Sequence, residues 1–388
     1  MPGLFFMPPV HEISRMSARV VHIRLQLLYL TIMYSFRNLV VLLAGALMVA
    51  PVSSSAQSFS EKPRVFKETP RHYVCHRTTI PMVIDGRDGE ATWKEAAWTN
   101  DFADIEGAAK PAPFYRTRVK MLWDDTHLYV FAELDEPHVW GTLRQRDTII
   151  YADNDFEMFI DPDGNAHEYF EIEVNTLNTV MDLFMPRAYR AGGRAMLNWD
   201  VQGLRTAVHI KGTLNNPRDT DTAWTVEMAI PFHALAAYHT RSRPREGDTW
   251  RVNFSRVQWQ HDVEGGQYRK RKGTPEYNWV WSPQGIVDMH APERWGMLQF
   301  TTEPAGKGVA FREPEWAEAE AYLWEIYYRQ QQHRRKSGKY AGDLSELQLE
   351  KGKWDVEMEA TKRLFGAAIK QGRRTIVIDH EGKITRYE

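Results

Sequence analysis

The sequence predicts an all-β sandwich followed by a small α+β extension. Three observations carry that prediction. Short segments of alternating apolar and polar residues recur between turn signals. Almost no long helical pattern precedes residue 304, and beyond Pro304 the spacing becomes helical. No internal repeat interrupts the strand pattern.

Taken in order, the chain opens with an apolar run from Leu39 to Val52, preceded by Arg37 and followed by Ser54-Ser55-Ala56. A basic flank, a run of about a dozen apolar residues and a small-x-small ending describe a secretory signal, too short for the ~20 residues of a membrane span. Residues 1–56 are therefore read as a signal segment, with 1–32 as an over-extended start before Met33, and residues 57–76 as a linker with an edge strand. A secreted or periplasmic location follows, with no membrane span after cleavage.

The sandwich is expected over 77–303. A short helix is read at 91–98, carrying Trp93 and Trp98, and Arg118–Glu133 forms a hairpin turning at Asp124-Asp125-Thr126. Strands follow at Thr179–Pro186, Leu204–Leu214, Ala223–Ile230 and Trp250–Trp259, with Pro231 opening a short helix. Ala188–Asn198 is a loop containing Gly192-Gly193, and Gly265–Tyr277 is a basic loop. Trp279–Trp281 and Gly296–Thr301 close the set. In the extension, 304–388, an amphipathic helix is expected over Glu313–Arg335 and a second helix over Leu344–Lys370, before a hairpin turning at His380-Glu381-Gly382. Its modest apolar content predicts an annex packed on the sandwich rather than an independent core.

A net charge of −2 and a pI near 6.7 offer no general attraction to nucleic acid or to acidic membranes. The single Cys75 excludes a disulfide framework and a cysteine metal cluster. There is no H-E-x-x-H, no G-x-S-x-G and no Gly-rich phosphate loop. His127, His167 and His290 fall at turns or loops and read as surface residues. The unusual feature is 14 Trp among 12% aromatic residues; such an excess is most often core, though exposed Trp on a sheet also grips sugar rings. Trp199, after the Gly-rich loop, and Trp279 or Trp281, before Pro283, are candidates for exposed stacking surfaces.

The chemistry concentrates in Asp153–Asn175, read as two antiparallel strands around Asp161-Pro162-Asp163-Gly164-Asn165. Period-2 alternation puts Phe156, Met158 and Ile160, with Phe170, Ile172 and Val174, on one face. The other face carries Asp155, Glu157, Glu171, Glu173 and Asn175, with no Lys or Arg between Asp147 and Arg187. Solvated charge, a polar ligand surface, a cation site and an acid/base pair all remain open for it. The last would make the chain a glycan hydrolase using Glu157 with Glu171 or Glu173. Asp161, Asp163 and Asn165 stand at alternate positions, as in calcium loops, and are the candidate ligands for a structural calcium; tight-turn chemistry explains the same residues.

The order of motifs resembles the family 9 carbohydrate-binding modules and their secreted bacterial relatives over residues ~80–302. The matching pieces are V-I-D-G from Val83, V-K-M-L-W-D-D-T-H-L-Y-V from Val119, and D-N-D-F-E-M-F-I-D from Asp153. Then come W-T-V-E-M-A-I-P-F from Trp224, W-S-P from Trp281 and P-E-R-W-G from Pro292. The resemblance implies a jelly-roll sandwich that binds sugars, often with structural calcium. It places Tyr151 where the family has one stacking tryptophan, and it keeps Glu157 and Asn175. Glu173 replaces an arginine, and the second tryptophan's place falls near Met289.

The reading is thus a secreted or periplasmic, non-catalytic carbohydrate-binding protein. Tyr151, Glu157, Glu173, Asn175, Trp199 and Trp281 are expected around one concave face. A third reading makes it an envelope assembly protein acting through the C-terminal helix.

Overall fold

The computed structural model describes residues 68–236, 243–350 and 352–387; the expected signal segment and residues 57–67 of the expected linker lie outside them. The chain runs through β1 (His72–Arg77), α1 (Ala91–Glu95), β2 (Ala103–Asp104), β3 (Thr117–Trp123) and β4 (His127–Asp135). It continues with β5 (Asp155–Asp161), β6 (His167–Asn175), β7 (Val180–Arg187), β8 (Arg205–Lys211) and β9 (Ala223–Pro231). Then come β10 (Thr249–Gln258), β11 (His261–Glu264), β12 (Gln267–Lys270), β13 (Tyr277–Val280) and β14 (Gly296–Pro304).

All of these strands except β11 and β12 join one sheet in the order β7-β6-β5-β10-β14-β1-β3-β4-β9-β8, with β13 and β2 branching from β10. The sheet curls over itself as a sandwich of the jelly-roll type. Phe156, Met158 and Ile160 of β5 and Phe170, Ile172 and Val174 of β6 share a core with Val119 and Met121 of β3 and Val226 and Met228 of β9. Each such side chain contributes roughly 1.5–3 kcal/mol on burial, and alternation sends every other residue outward.

β1 is a correction to the expected linker and edge strand. It lies between β14 and β3, parallel to both, with Tyr73 and Cys75 in the core. Its period-2 signal is hidden by polar neighbours, His72, His76 and Arg77. The expected basic loop is also partly strand, since β12 pairs with β11 across Gly265-Gly266.

The outer face of β3-β4-β9 is covered by the segment before and through α1. Glu227 of β9 accepts hydrogen bonds from the backbone N–H groups of Asp85 and Gly86, both at 3.0 Å, and from Trp93 Nε1 at 3.0 Å. Gly86 adopts φ +78°, and a Cβ there would lie 2.8 Å from the His209 nitrogen, so glycine is required.

Beyond β14, α2 (Ala317–Ser337) packs on a four-stranded sheet of β15 (Asp355–Ala360), β16 (Phe365–Gln371), β17 (Arg374–Asp379) and β18 (Ile384–Tyr387). The second helix expected over 344–370 is therefore a strand pair, and Val356 and Met358 alternate with Asp355, Glu357 and Glu359 as a half-buried edge strand should. The terminal hairpin forms as expected. The unit has more core than its composition suggested: Leu323, Ile326 and Tyr327 close over Phe365, Ile369 and Ile376. The apolar stripe of α2 is used inside this unit.

The extension docks on the β5–β6 turn. Ala166 belongs to its core, Ile384 donates its N–H to the Asn165 carbonyl at 3.0 Å, and Arg386 donates to the Asp163 carbonyl at 2.8 Å. Among the described residues no helix is long and apolar enough to cross a membrane.

Candidate functional site

Strand register assembles the polar face of β5, β6 and β10. Ser255 lies opposite Glu157, which lies opposite Glu173; in the next row Asp155 stands opposite Asn175. Glu171 falls opposite Phe159, one step along. One oxygen each from Asp155, Glu157 and Glu173 lie within 4.8 Å of one another.

The solvated reading of this face fails. Asp155 is 0% exposed, Glu173 1%, and Glu157 and Glu171 4% each. The segments around residues 139–153 and 284–295 fold over the sheet and bury it. Ile150, Phe159, Tyr169, Met181 and Trp295 form a small apolar cluster beside the carboxylates. Asp153 accepts from the Leu143 N–H at 2.8 Å, and the Tyr151 N–H donates to Glu173 at 3.0 Å. Alternation identified the face but carries no information about which loops cover it.

Burial sets the electrostatics. Removed from water, and with no Lys or Arg ion pair among the described residues, the carboxyls resist ionising. Burial, then the Glu157 charge, pushes Asp155 and Glu173 well above the usual carboxylate range. Burial raises Glu157 to about 7, although the Ser255 hydroxyl, close by but outside hydrogen-bonding geometry, moderates the rise. Burial and the Glu157 charge raise Glu171 to about 8. Beside it, His290 Nε2 lies 3.7 Å from Glu171, and His290 Nδ1 and the Tyr169 hydroxyl hydrogen-bond at 3.0 Å. Burial, assisted by Arg190, lowers His290 to about 4. His290 is thus a wall of the site, not the surface residue expected.

Two tyrosines mark the mouth. Tyr151 is 46% exposed and Tyr189 49%. Burial, Glu171, Tyr151 and Glu173 all raise the Tyr189 hydroxyl, which places it within electrostatic reach of the carboxylates and of Tyr151. Trp259 donates its indole N–H to the Tyr151 carbonyl at 2.8 Å, and Lys270 sits 3.5 Å over the Trp259 ring. His127 lies at the opposite sheet half, at the start of β4, and His167 is buried with neither ring nitrogen hydrogen-bonded.

Of the residues expected around one concave face, Tyr151, Glu157 and Glu173 come together. Asn175 is beside them but committed elsewhere: its amide donates to the Leu143 carbonyl and to Asp153, and its oxygen accepts from Leu177 and Thr179. Those four bonds exhaust its capacity, so it anchors loops. Trp281 is fully buried in the main core against Phe254. Trp199 packs half-buried on Phe170, with ring centroids 4.9 Å apart. Neither tryptophan reaches the acidic face.

The Asp161–Asn165 turn is accounted for by its own backbone. Asp161 accepts from Gly164 and Ala166, Asp163 accepts from Asn165, and Asn165 accepts from His167. Sequence reasoning placed Asp155 on the acidic face without choosing it as a site residue, read His290 as surface, and did not name Ser255 or Tyr189. Asp155 was legible from its shared face with Glu157; Ser255, Tyr189 and His290 arrive from separate segments, and no local signal ties them to β5.

A second acidic group, Asp147, Asp182 and Asp200, carries its own cation. Arg146 pairs with Asp182, with Asp200 at 2.9 Å and with Asp147 at 3.6 Å.

Residues 84–247 match the family model described as carbohydrate family 9 binding domain-like. The match ends before β10, although β10 and β14 complete the same sheet. Comparison with curated proteins finds no match. Among solved structures, a putative carbohydrate-binding protein from Bacteroides uniformis is similar at 14% identity with a TM-score of 0.44, over 60% of this chain and 100% of its own. A family 9 carbohydrate-binding module from Caldicellulosiruptor kristjanssonii is similar at 15% identity with a TM-score of 0.40, over 63% of this chain and 100% of its own, in a complex with cellotriose. The same module in complex with glucose gives 14% identity and a TM-score of 0.40, over 62% of this chain and 100% of that one.

Proposed function

We propose, from the premise that residues 84–247 form a carbohydrate family 9 binding domain-like region, that this chain binds sugar without catalysis at the mouth between Tyr151 and Tyr189. The observation that carries the reading is the pairing of two half-exposed tyrosines with buried carboxyls on one face. Aromatic faces stack on the C–H surface of a sugar ring. Carboxyls at its edge hydrogen-bond hydroxyls, and they do so more strongly when ionised. Tyr189 takes the part of the second platform that the sequence near Met289 lacks.

Non-catalytic binding fits the spacing. Hydrolysis needs two carboxyls flanking the scissile bond, roughly 5–10 Å apart. Here Glu157, Glu171 and Glu173 all project from one sheet face, side by side rather than on opposite walls of a cleft. The assembly reading loses its support, because the α2 stripe packs on β16 and β17. The secreted or periplasmic location rests on the Leu39–Ala56 pattern, and the mature N-terminus found by mass spectrometry tests it.

The test of sugar binding is a glycan array on the chain from Gln57, beside Tyr151→Ala and Tyr189→Ala. Each variant is expected to lose about 1–2 kcal/mol of affinity, or roughly tenfold, while melting like the parent. Retention of full binding by both would refute the mouth as the site.

A further inference from the structure

We propose that Asp155, Glu157 and Glu173 hold a divalent cation of the calcium class beneath the tyrosine mouth. The proposal shares a face with the sugar site but stands without it, since the ion is held whether or not sugar binds.

The first observation is convergence. Hard cations take carboxylate oxygens at about 2.3–2.6 Å, so two ligands of one ion lie no more than about 5 Å apart. One oxygen from each of the three carboxyls meets that condition, with all three within 4.8 Å. They come from two paired strands, in register, so rigid backbone rather than a mobile loop sets the spacing.

The second observation is independent. Ser255 Oγ projects from β10 toward the same row, is fully buried and has no hydrogen-bond partner among the described residues. Asp155 Oδ2 and Glu171 Oε2 are likewise buried without partners. Buried polar atoms are nearly always satisfied, and a group of orphans around one point marks an unfilled ligand. A hydroxyl and carboxylates are the donors that calcium, magnesium or manganese prefers, not those of a thiophilic metal.

The third observation is charge. Among the described residues no Lys or Arg forms an ion pair with Asp155, Glu157, Glu171 or Glu173, and the other acidic group shows how this fold otherwise meets that need, through Arg146. Lys270, within electrostatic reach of Asp155, lies over the Trp259 ring and makes no ion pair with that carboxylate. Burying like charges side by side is strongly unfavourable unless an ion neutralises them. A network of shared protons is the competing arrangement, and it predicts no metal response.

The experiment uses the full chain, stripped with chelator and desalted, and titrated with calcium, magnesium or manganese chloride by isothermal titration calorimetry and by thermal melting. One saturable site per chain is expected, with a melting point that rises with the ion. Asp155→Asn and Glu173→Gln should each weaken the ion at least about tenfold and abolish the shift. Both chelated variants should melt at or above the chelated parent, because a buried like charge is gone. Asp200→Asn should leave the ion response unchanged. If a variant fails to fold, equilibrium dialysis of the parent with the metal alone still decides. Absence of saturable binding of any of the three ions at about 1 mM, the weak end for extracellular calcium modules, overturns the proposal; so does full retention in Asp155→Asn. Sugar binding is measured with and without chelator in parallel, so its loss is separable from loss of the ion.

Discussion

Replacing Glu157 by Gln in the chelated protein should change how stability depends on pH, and the size follows from the site. Glu157 is fully buried among like charges and its carboxyl rises from 4.5 to about 7. A raised carboxyl binds its proton in the folded chain where the unfolded chain has lost it. Its contribution is therefore fully present below about 4.5, falls as pH rises, and is lost once pH passes about 7. At about 1.36 kcal/mol per pH unit, the parent should lose roughly 2–3 kcal/mol between about pH 5 and pH 8 through this group alone. Glu227, raised to about 7 by burial, acts in the same direction in parent and variant. His167 and His290, lowered to about 4 by burial, act oppositely between there and 6.5. The readout is therefore the difference between parent and Glu157→Gln in urea unfolding at the two pH values. The variant should gain at least roughly 2–3 kcal/mol on the parent at the higher pH, since the Glu157 charge also raises Asp155, Glu171 and Glu173, and added calcium should shrink that gain. A difference that stays constant across the range would refute the buried-carboxyl account.

Two further outcomes follow from packing. Trp281→Ala should cost about 3–5 kcal/mol by leaving a cavity in the main core, read as a lower urea midpoint, while sugar binding by the folded fraction stays unchanged. Arg190→Met should cost about 3 kcal/mol, because it takes one partner from the Glu293 carboxylate, whose side chain is 1% exposed; limited proteolysis should then cut the extension after residue 304 faster.

The sandwich was legible because its signal is local. In β3, β5, β6 and β9 apolar residues recur at every second position, and period 2 assigns the core face although Leu122, Phe159, Tyr169 and Ala229 add apolar side chains to the other one. β1 was missed because its interior place is set by partners more than 40 residues away, Leu122 and Met297 among them. The 355–371 strands were missed because Ala367, Ala368 and the charged residues around them suit a helix as well as a strand. At the site, Glu157 was readable as facing Glu171 or Glu173 across a hairpin, and the register decides for Glu173. The misassigned tryptophans show the limit: proximity to Gly or Pro suggests a loop, yet Trp281 follows directly on β13 and enters the core. Whether an aromatic is a platform or a core residue depends on what covers it, and that is a long-range property.

The extension takes part in the same covering. Arg190, next to Tyr189 at the mouth, bonds Glu293 at 2.8 Å and the His290 carbonyl at 3.3 Å. Its guanidinium lies 5.4 Å from the Trp324 ring of α2. Burial would raise Glu293, but Arg190 and Arg294 outweigh it, and the Tyr328 hydroxyl donates to the same carboxylate. One buried ionic knot thus ties the loop of Tyr189, the loop of His290 and helix α2. A hydrogen-bonded buried pair of this kind contributes little net stability against an apolar replacement, and it fixes geometry instead. The extension's consequence for the site is therefore positional: with α2 docked, Tyr189 and His290 are held over carboxyls that neither loop's own sequence would place there.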